Sequence, residues 1–207
     1  MQSVKLSVKD TNLNSAKGHT LLENNIFTQD QSLYRIDNFN VAIIDITHLG
    51  SENLHELKTK FRAYSPDVLV QGVDASFVFG VKHLLRVLRL TVESWKRGIK
   101  ISKIMETDIL MRLCCTTQIA KAIKVGGLKN DSPACFILMS ENLDSVIKIK
   151  KCIEGYYNEI HASVLRIGKN KMTRLCSEYG IPDKKMNRLF FENYLIEKAA
   201  LVKFQSK

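Results

Sequence analysis

Residues 74–98 read DASFVFGVKHLLRVLRLTVESWKRG, and this stretch decides how the rest of the chain is read. Phe77, Val81, Leu84, Leu85, Leu88, Val92 and Trp95 recur at steps of three and four. That spacing places them on one side of a 3.6-residue helix and predicts a long amphipathic helix over 74–97. Asp74 is the expected N-cap, because its carboxylate can accept from the free amides of the first turn. Gly98 is the expected C′ residue, and Lys96 and Arg97 suit the negative end of the helix dipole. The opposite side carries Lys82, Arg86, Arg89, Lys96 and Arg97, and Lys100 and Lys103 continue the run. From Lys82 to Lys103 there are seven cations and one acid, Glu93. A solvated outer face ordinarily mixes signs, so this imbalance points to an anionic partner.

The net charge of +10 over 207 residues points the same way, to nucleic acid first and a membrane surface second. No stretch approaches the ~20 apolar residues needed to cross a bilayer, and residues 1–37 lack the apolar core of a signal peptide. The five cysteines, Cys114, Cys115, Cys135, Cys152 and Cys176, are odd in number and show no CxxC or Cys/His ligand spacing. They read as free thiols of a soluble, cytoplasmic protein, and no metal or other cofactor is expected.

Working outward, residues 1–37 are polar without a sustained period and are expected to form a mobile or loosely docked arm, with a strand near 4–8. Residues 38–207 are expected to form one domain. Strands are predicted at 41–46, 68–70, 134–139 and 161–167, with 134–139 central and covered on both faces because it is continuously apolar. Asp45 is read as a strand-end turn residue. Helices are predicted from Ser51 to Tyr64, from Glu106 or Thr107 through Leu113, and at 118–125, 143–153, 171–179 and 184–204. Residues 99–105 read as extended. The helix at 118–125 is expected to bury Ile119, Ala122 and Ile123, and Gly126-Gly127 to stop it by supplying a positive φ. The last helix is expected to turn Met186, Leu189, Phe190, Asn193, Tyr194 and Ala200 inward. The order gives an α/β (α+β) domain with one small, mostly antiparallel sheet packed with helices.

Catalytic signatures are missing from the sequence. There is no GxxxxGK[ST] loop, no GxGxxG after a strand, no GxSxG elbow and no HExxH. Cys114 and Cys115 precede a predicted helix, where a thiolate could be favoured, but small interior residues are the simpler reading. No catalytic residue is assigned and the chain is not expected to be an enzyme.

Four stretches resemble one family. They are Gly80-Val81-Lys82-His83-Leu84-Leu85; residues 107–122, TDILMRLCCTTQIAKA; Gly127-Leu128-Lys129-Asn130; and the ending Ile196-Glu197-Lys198-Ala199-Ala200-Leu201. In this order they are similar to the small tRNA-recruiting, kinase-binding subunits of the KEOPS (EKC) complex, the TPRKB-like family. The likeness runs over about 41–202. Asp108 stands where the family usually has Glu, Cys114-Cys115 replace small polar residues, and Gly126 adds a second glycine. The resemblance implies a non-catalytic subunit that binds the atypical small kinase/ATPase subunit. It also implies support for threonylcarbamoyladenosine formation in tRNA, with only indirect association to the threonylcarbamoyltransferase subunit and no membrane. Archaeal relatives also hold the single-stranded CCA end.

The expected tRNA-binding residues are Lys82, His83, Arg86, Arg89, Lys96, Arg97, Lys100, Arg112 and Gln118. His83 is either a packing residue or a platform for a 3′ base. Arg112 is either a phosphate contact or merely exposed, and Gln118 either a hydrogen-bonding residue or a first-turn cap. Val87 and Leu90 are either a second core side or a partner-docking surface. The alternative to RNA binding is a structural protein-interaction module with a basic, solubilising face.

Overall fold

The computed structural model describes residues 32–50, 54–157, 165–181 and 187–204. The expected strand at 4–8 and the N-cap at Ser51 lie outside these residues. Four strands form one antiparallel sheet, β1 (Leu33–Ile36), β2 (Phe39–Ile46), β3 (Leu69–Asp74) and β4 (Ala134–Ser140), in the order β1-β2-β4-β3. The apolar run of β4 sits in the middle, pairing Val41 with Met139 on one side and Leu69 with Met139 on the other. Every residue of β4 is buried. Asp45 is not a turn residue: it lies within β2, opposite Cys135, and is buried.

The arm reading of residues 1–37 is corrected at its end. Leu33–Ile36 is an edge strand joined to β2 by a tight turn in which Asp37 takes a φ of 57°.

Alternation along the strands divides two cores. Val41, Ile43, Cys135, Ile137 and Met139 face one way, and Ala42, Ile44, Ile46, Phe136 and Leu138 the other. The second face is covered by α1 (Leu54–Tyr64) and α5 (Leu143–Tyr156), the latter capped by Asn142, which accepts from Asp144 N and Ser145 N. The first face carries the larger core, built with α2 (Gly80–Lys96), α3 (Met105–Leu113), α4 (Ile119–Gly126), α6 (Lys169–Glu178) and α7 (Arg188–Leu201). Leu165 and Arg166 lie in a turn and bend and Ile167 is irregular, so the described part of the expected strand 161–167 is not a strand.

The central helix starts later than its apolar period suggests. Asp74 accepts from Ser76 N at 2.8 Å but caps only the 3-10 turn Ala75–Phe77, after which Val78 is extended and Gly80 takes a φ of 78°. Phe77 and Phe79 are both buried. Two residues apart, they would point to nearly opposite sides of a helix, whereas an extended link lets both turn inward. Gly98, with φ 71°, ends the helix as expected.

Two expected faces are met only in part. On α4 Ala122 is buried as expected, with Gly126 beside it, but Ile119 and Ile123 are exposed. A Cβ on Gly126 would collide with Cys114 Sγ, so α4 approaches α3 on its small side. Neither Gly126 nor Gly127 has a positive φ; both glycines serve close approach, Gly127 against the Ile123 carbonyl. On α7 the buried residues are Phe191, Glu192, Leu195 and Ala199, while Leu189 and Phe190 face solvent.

Candidate functional site

Helix α2 presents the cationic ridge, and the structure breaks it into separate pieces. Arg86 Nη1 donates to Asn193 Oδ1 at 2.8 Å and lies 3.3 Å from Glu192 Oε1, on α7. Lys96 pairs with Asp37 in the β1–β2 turn, and Arg97 pairs with Glu93 at 3.5 Å. Lys100 sits over the Trp95 ring at 4.2 Å. Lys82 and Arg89 are exposed and have no ion-pair partner among the described residues. Three of the seven cations are thus paired with acids of the same molecule, and Lys82 and Arg89 remain without an ion-pair partner on α2 among the described residues.

Three expected contact residues are interior. Arg112 is 1% exposed. Its Nε donates to Asp108 Oδ1 at 2.7 Å, its Nη1 to the Ala199 carbonyl at 3.2 Å and its Nη2 to the Ile99 carbonyl at 3.1 Å. Asp108 Oδ2 in turn accepts from Trp95 Nε1 at 3.0 Å and Ile101 N at 2.8 Å. This hub ties the end of α2, α3 and α7 together, so Arg112 is neither exposed nor a phosphate contact.

His83 is 2% exposed, edge-on to Phe79, and its Nδ1 has no hydrogen-bond partner among the described residues. Burial, aided by the charges of Arg86 and Lys171, lowers its pKa to about 3, so it is neutral, and its enclosure leaves no ring face open for a nucleotide to stack on. Val87 is fully buried and so belongs to the core and not to a docking surface, while Leu90 is half-buried and packs against the main core.

Gln118 lies in a different place. It N-caps α4, its own amide donating to Thr116 Oγ1 at 3.2 Å. There it borders a cleft of about 660 Å³ between α4 and α6. The cleft has an apolar lining from Phe77, Val125 and Leu175, and four cations border it: Lys121, Lys124, Lys129 and Arg174. Glu178 is the one acid in its lining. Lys129 Nζ and Arg174 Nη2 both reach Asp74 Oδ2, at 2.8 and 3.8 Å, and Arg174 Nη1 donates to Ser76 Oγ at 2.8 Å. Burial alone would raise the Asp74 pKa, but hydrogen bonds from Lys129 and Ser76 outweigh it and hold the carboxyl below its ordinary range. Lys121 and Lys124 are exposed and unpaired among the described residues. Free cations above an apolar floor can hold phosphates while bases stack below.

Sequence reasoning missed these four cations. Lys121 and Lys124 sit at the i, i+3 spacing of one helix face, a signal that was present. Lys129 follows the Gly-Gly stop, and Arg174 arrives from a helix far along the chain, which no local pattern reveals.

The cysteine turn offers no nucleophile. Burial pushes the Cys114 thiol up to about 12 and the Cys115 thiol up to about 11. Their sulfurs lie against backbone carbonyls, Cys114 on Ala122 and Cys115 on Arg112 and Leu195. Among the described residues no group of three or more His, Cys, Asp or Glu side chains is arranged to hold a metal, and no helix is long and apolar enough to cross a membrane.

No curated protein matches the chain. The family model described as kinase binding protein CGI-121 matches residues 37–203, a span that contains β2 to β4 and the helices α1 to α7 of the described residues. With the match running through both layers of the fold, the chain belongs to the CGI-121 family of kinase binding proteins.

Proposed function

We propose that the protein is a non-catalytic accessory subunit of a KEOPS complex, binding the atypical kinase/ATPase subunit and the 3′ CCA end of tRNA in support of threonylcarbamoyladenosine modification. Kinase binding follows the description of the family. RNA binding rests on one observation, the cationic cleft between α4 and α6. In this reading Gln118 hydrogen-bonds a base edge and the half-buried Val125 supplies the apolar contact beside it. Lys121 and Lys124 take the backbone phosphates. Lys82 and Arg89 reach phosphates further along the tRNA, where Lys96, Arg97 and Lys100 add only a screened field because each is already engaged. The free state of all five cysteines fits work in the reducing cytoplasm. The transferase chemistry belongs to another subunit.

Binding of full-length tRNA and of the same tRNA trimmed of its CCA end, compared over a salt series, tests the reading. The intact molecule is expected to bind more tightly at every salt concentration. Equal affinity for both would reject CCA recognition. A second reading, an interaction module without RNA contact, is favoured by the intramolecular pairing of Arg86, Lys96 and Arg97. Kinase binding with no tRNA binding at all would establish it.

A further inference from the structure

We propose that Glu178 reads an exocyclic amino group of a base held in the cleft between α4 and α6, and so sets the cleft against uracil, an inference that deepens the RNA-binding reading above and rests on it. Glu178 is the one acid in a lining that carries four cations. It is the last residue of α6 and is exposed. Arg174 stands one turn before it, at the spacing of helix ion pairs, yet Arg174 turns to Asp74 and Ser76. Glu178 forms no ion pair among the described residues.

This position serves neither the helix nor a phosphate. An acid in the last turn of a helix meets the negative end of the dipole, and an acid in a phosphate site repels its ligand. A base edge is different. An ionised carboxylate only accepts hydrogen bonds. Cytosine N4 and adenine N6 donate, and a carboxylate on cytosine N4 is a recurring base contact. Uracil presents its O4 carbonyl at the same place, so its lone pairs face those of the carboxylate. A 3′ end of C, C and A carries an amino group on every base.

Glu178 and Gln118 line the cleft away from its Lys129–Arg174 end. There Lys129 Nζ donates to the Val125 carbonyl at 3.2 Å and to Asp74 Oδ2 at 2.8 Å, and Arg174 reaches the same carboxylate oxygen. Glu178 lies one turn of α6 beyond Arg174, roughly 6 Å along the axis. Gln118 lies two turns of α4 before Val125, roughly 10 Å along the axis. Gln118 both donates and accepts, so it pairs with an edge of any base and selects none. Selection therefore falls to the carboxylate. The cleft, at about 660 Å³, is of the size that holds small ligands.

The test uses the full chain and two labelled single-stranded RNAs of equal length, one ending in CCA and one in UUA, read by fluorescence anisotropy at one salt concentration. The unmodified chain is expected to bind the CCA form at least about 10-fold more tightly, the size of one base-edge pair. Glu178→Gln keeps the shape, adds a donor and removes a charge. It is expected to bring the two affinities within about threefold of each other, mainly by strengthening UUA. Lys121→Gln with Lys124→Gln should weaken both RNAs and leave their ratio within about twofold of that of the unmodified chain. Equal affinity of the unmodified chain for the two RNAs, a readout independent of how any variant folds, would overturn the role of Glu178. So would a ratio that Glu178→Gln leaves unchanged, including one in which both RNAs tighten alike, the mark of a bare charge effect. In either case weaker binding by the lysine variant keeps the RNA-binding reading standing. No binding of either RNA by the unmodified chain would overturn that reading itself, and Glu178 with it.

Discussion

The guanidinium of Arg112 and the carboxylate of Asp108, one turn apart on α3, form a fully enclosed ion pair at 2.7 Å, 1% and 0% exposed. A pair of this kind is retained only when its remaining donors and acceptors are met. Here they are, by two backbone carbonyls on the arginine side and by Trp95 and two backbone amides on the aspartate side. Arg112→Ala would strand the Asp108 charge and free two carbonyls. It is expected to lower unfolding free energy by about 3–5 kcal/mol in urea denaturation. Arg112→Lys keeps the charge but cannot reach both carbonyls, and should recover only part of the loss. A loss below about 1 kcal/mol for the alanine variant would show that the hub does not hold the layers together.

The contact between Gly126 and Cys114 makes a second, reciprocal prediction. Any Cβ at 126 meets the Cys114 sulfur, so Gly126→Ala should destabilise by about 1–3 kcal/mol through overpacking. Adding Cys114→Ala removes the obstacle. The double variant is expected to be more stable than Gly126→Ala alone, the reverse of additivity. Gly98→Ala serves as a control. It has open space around it, and its cost of about 1–2 kcal/mol comes from φ 71° alone, with no dependence on Cys114.

The same burial governs the thiols. Cys114, Cys135 and Cys176 are buried, and Cys114 and Cys135 have raised pKa values. In native protein at neutral pH these three are expected to stay silent toward a thiol reagent for the length of a standard assay, and to react fully in denaturant. Prompt reaction of Cys114 would reopen the case for a nucleophile at the α3–α4 turn.

How much of this was legible in the sequence depended on whether one pattern or two occupied a segment. The run at 134–139 carries only apolar residues, and its place as central strand followed directly. The apolar period of α2 located its axis, although not its start, because two aromatic residues two apart demanded an extended link. On α7 two apolar sets interleave, and the sequence holds nothing that says which of them meets the domain. On α4 the larger residues misled, because close approach to Cys114 selects the smaller side. Arg112 reads as a surface cation until its partners at 99, 108 and 199 are brought together. The cleft was equally hidden, since its borders come from separate segments of chain.

His83 gives a pH dependence of stability. Its folded pKa of about 3 lies below the ordinary value of 6.5. Between those values the unfolded chain takes up a proton that the native state refuses. Stability is therefore fully present above pH ~6.5 and falls as pH drops, by up to about 1.4 kcal/mol per unit. His83→Leu removes this slope and keeps the site apolar. Urea midpoints from pH 7 to pH 4 should fall less steeply for the variant. The remaining fall belongs to carboxylates such as Asp74, whose depressed pKa acts in the same direction. Parallel curves for the two proteins would show that His83 accepts a proton in the native state.

Arg86 and Arg89 look interchangeable in the sequence, three residues apart on one basic face, and the structure separates them. Arg86→Glu would set a carboxylate beside Glu192, which is 7% exposed, so that variant should lose stability and is unsuited to probing RNA contact. Arg89 is exposed, and Arg89→Gln should leave the fold unchanged. If the cleft holds the 3′ end, Lys121→Gln with Lys124→Gln lowers the log–log salt slope by about 1.4 for both full-length tRNA and a short single-stranded RNA ending in CCA. Arg89→Gln lowers the slope by roughly 0.7–0.9 with full-length tRNA and has no effect on the short RNA. An unchanged slope for the lysine pair on the short RNA, measured by fluorescence anisotropy, would remove the cleft as the site of the 3′ end.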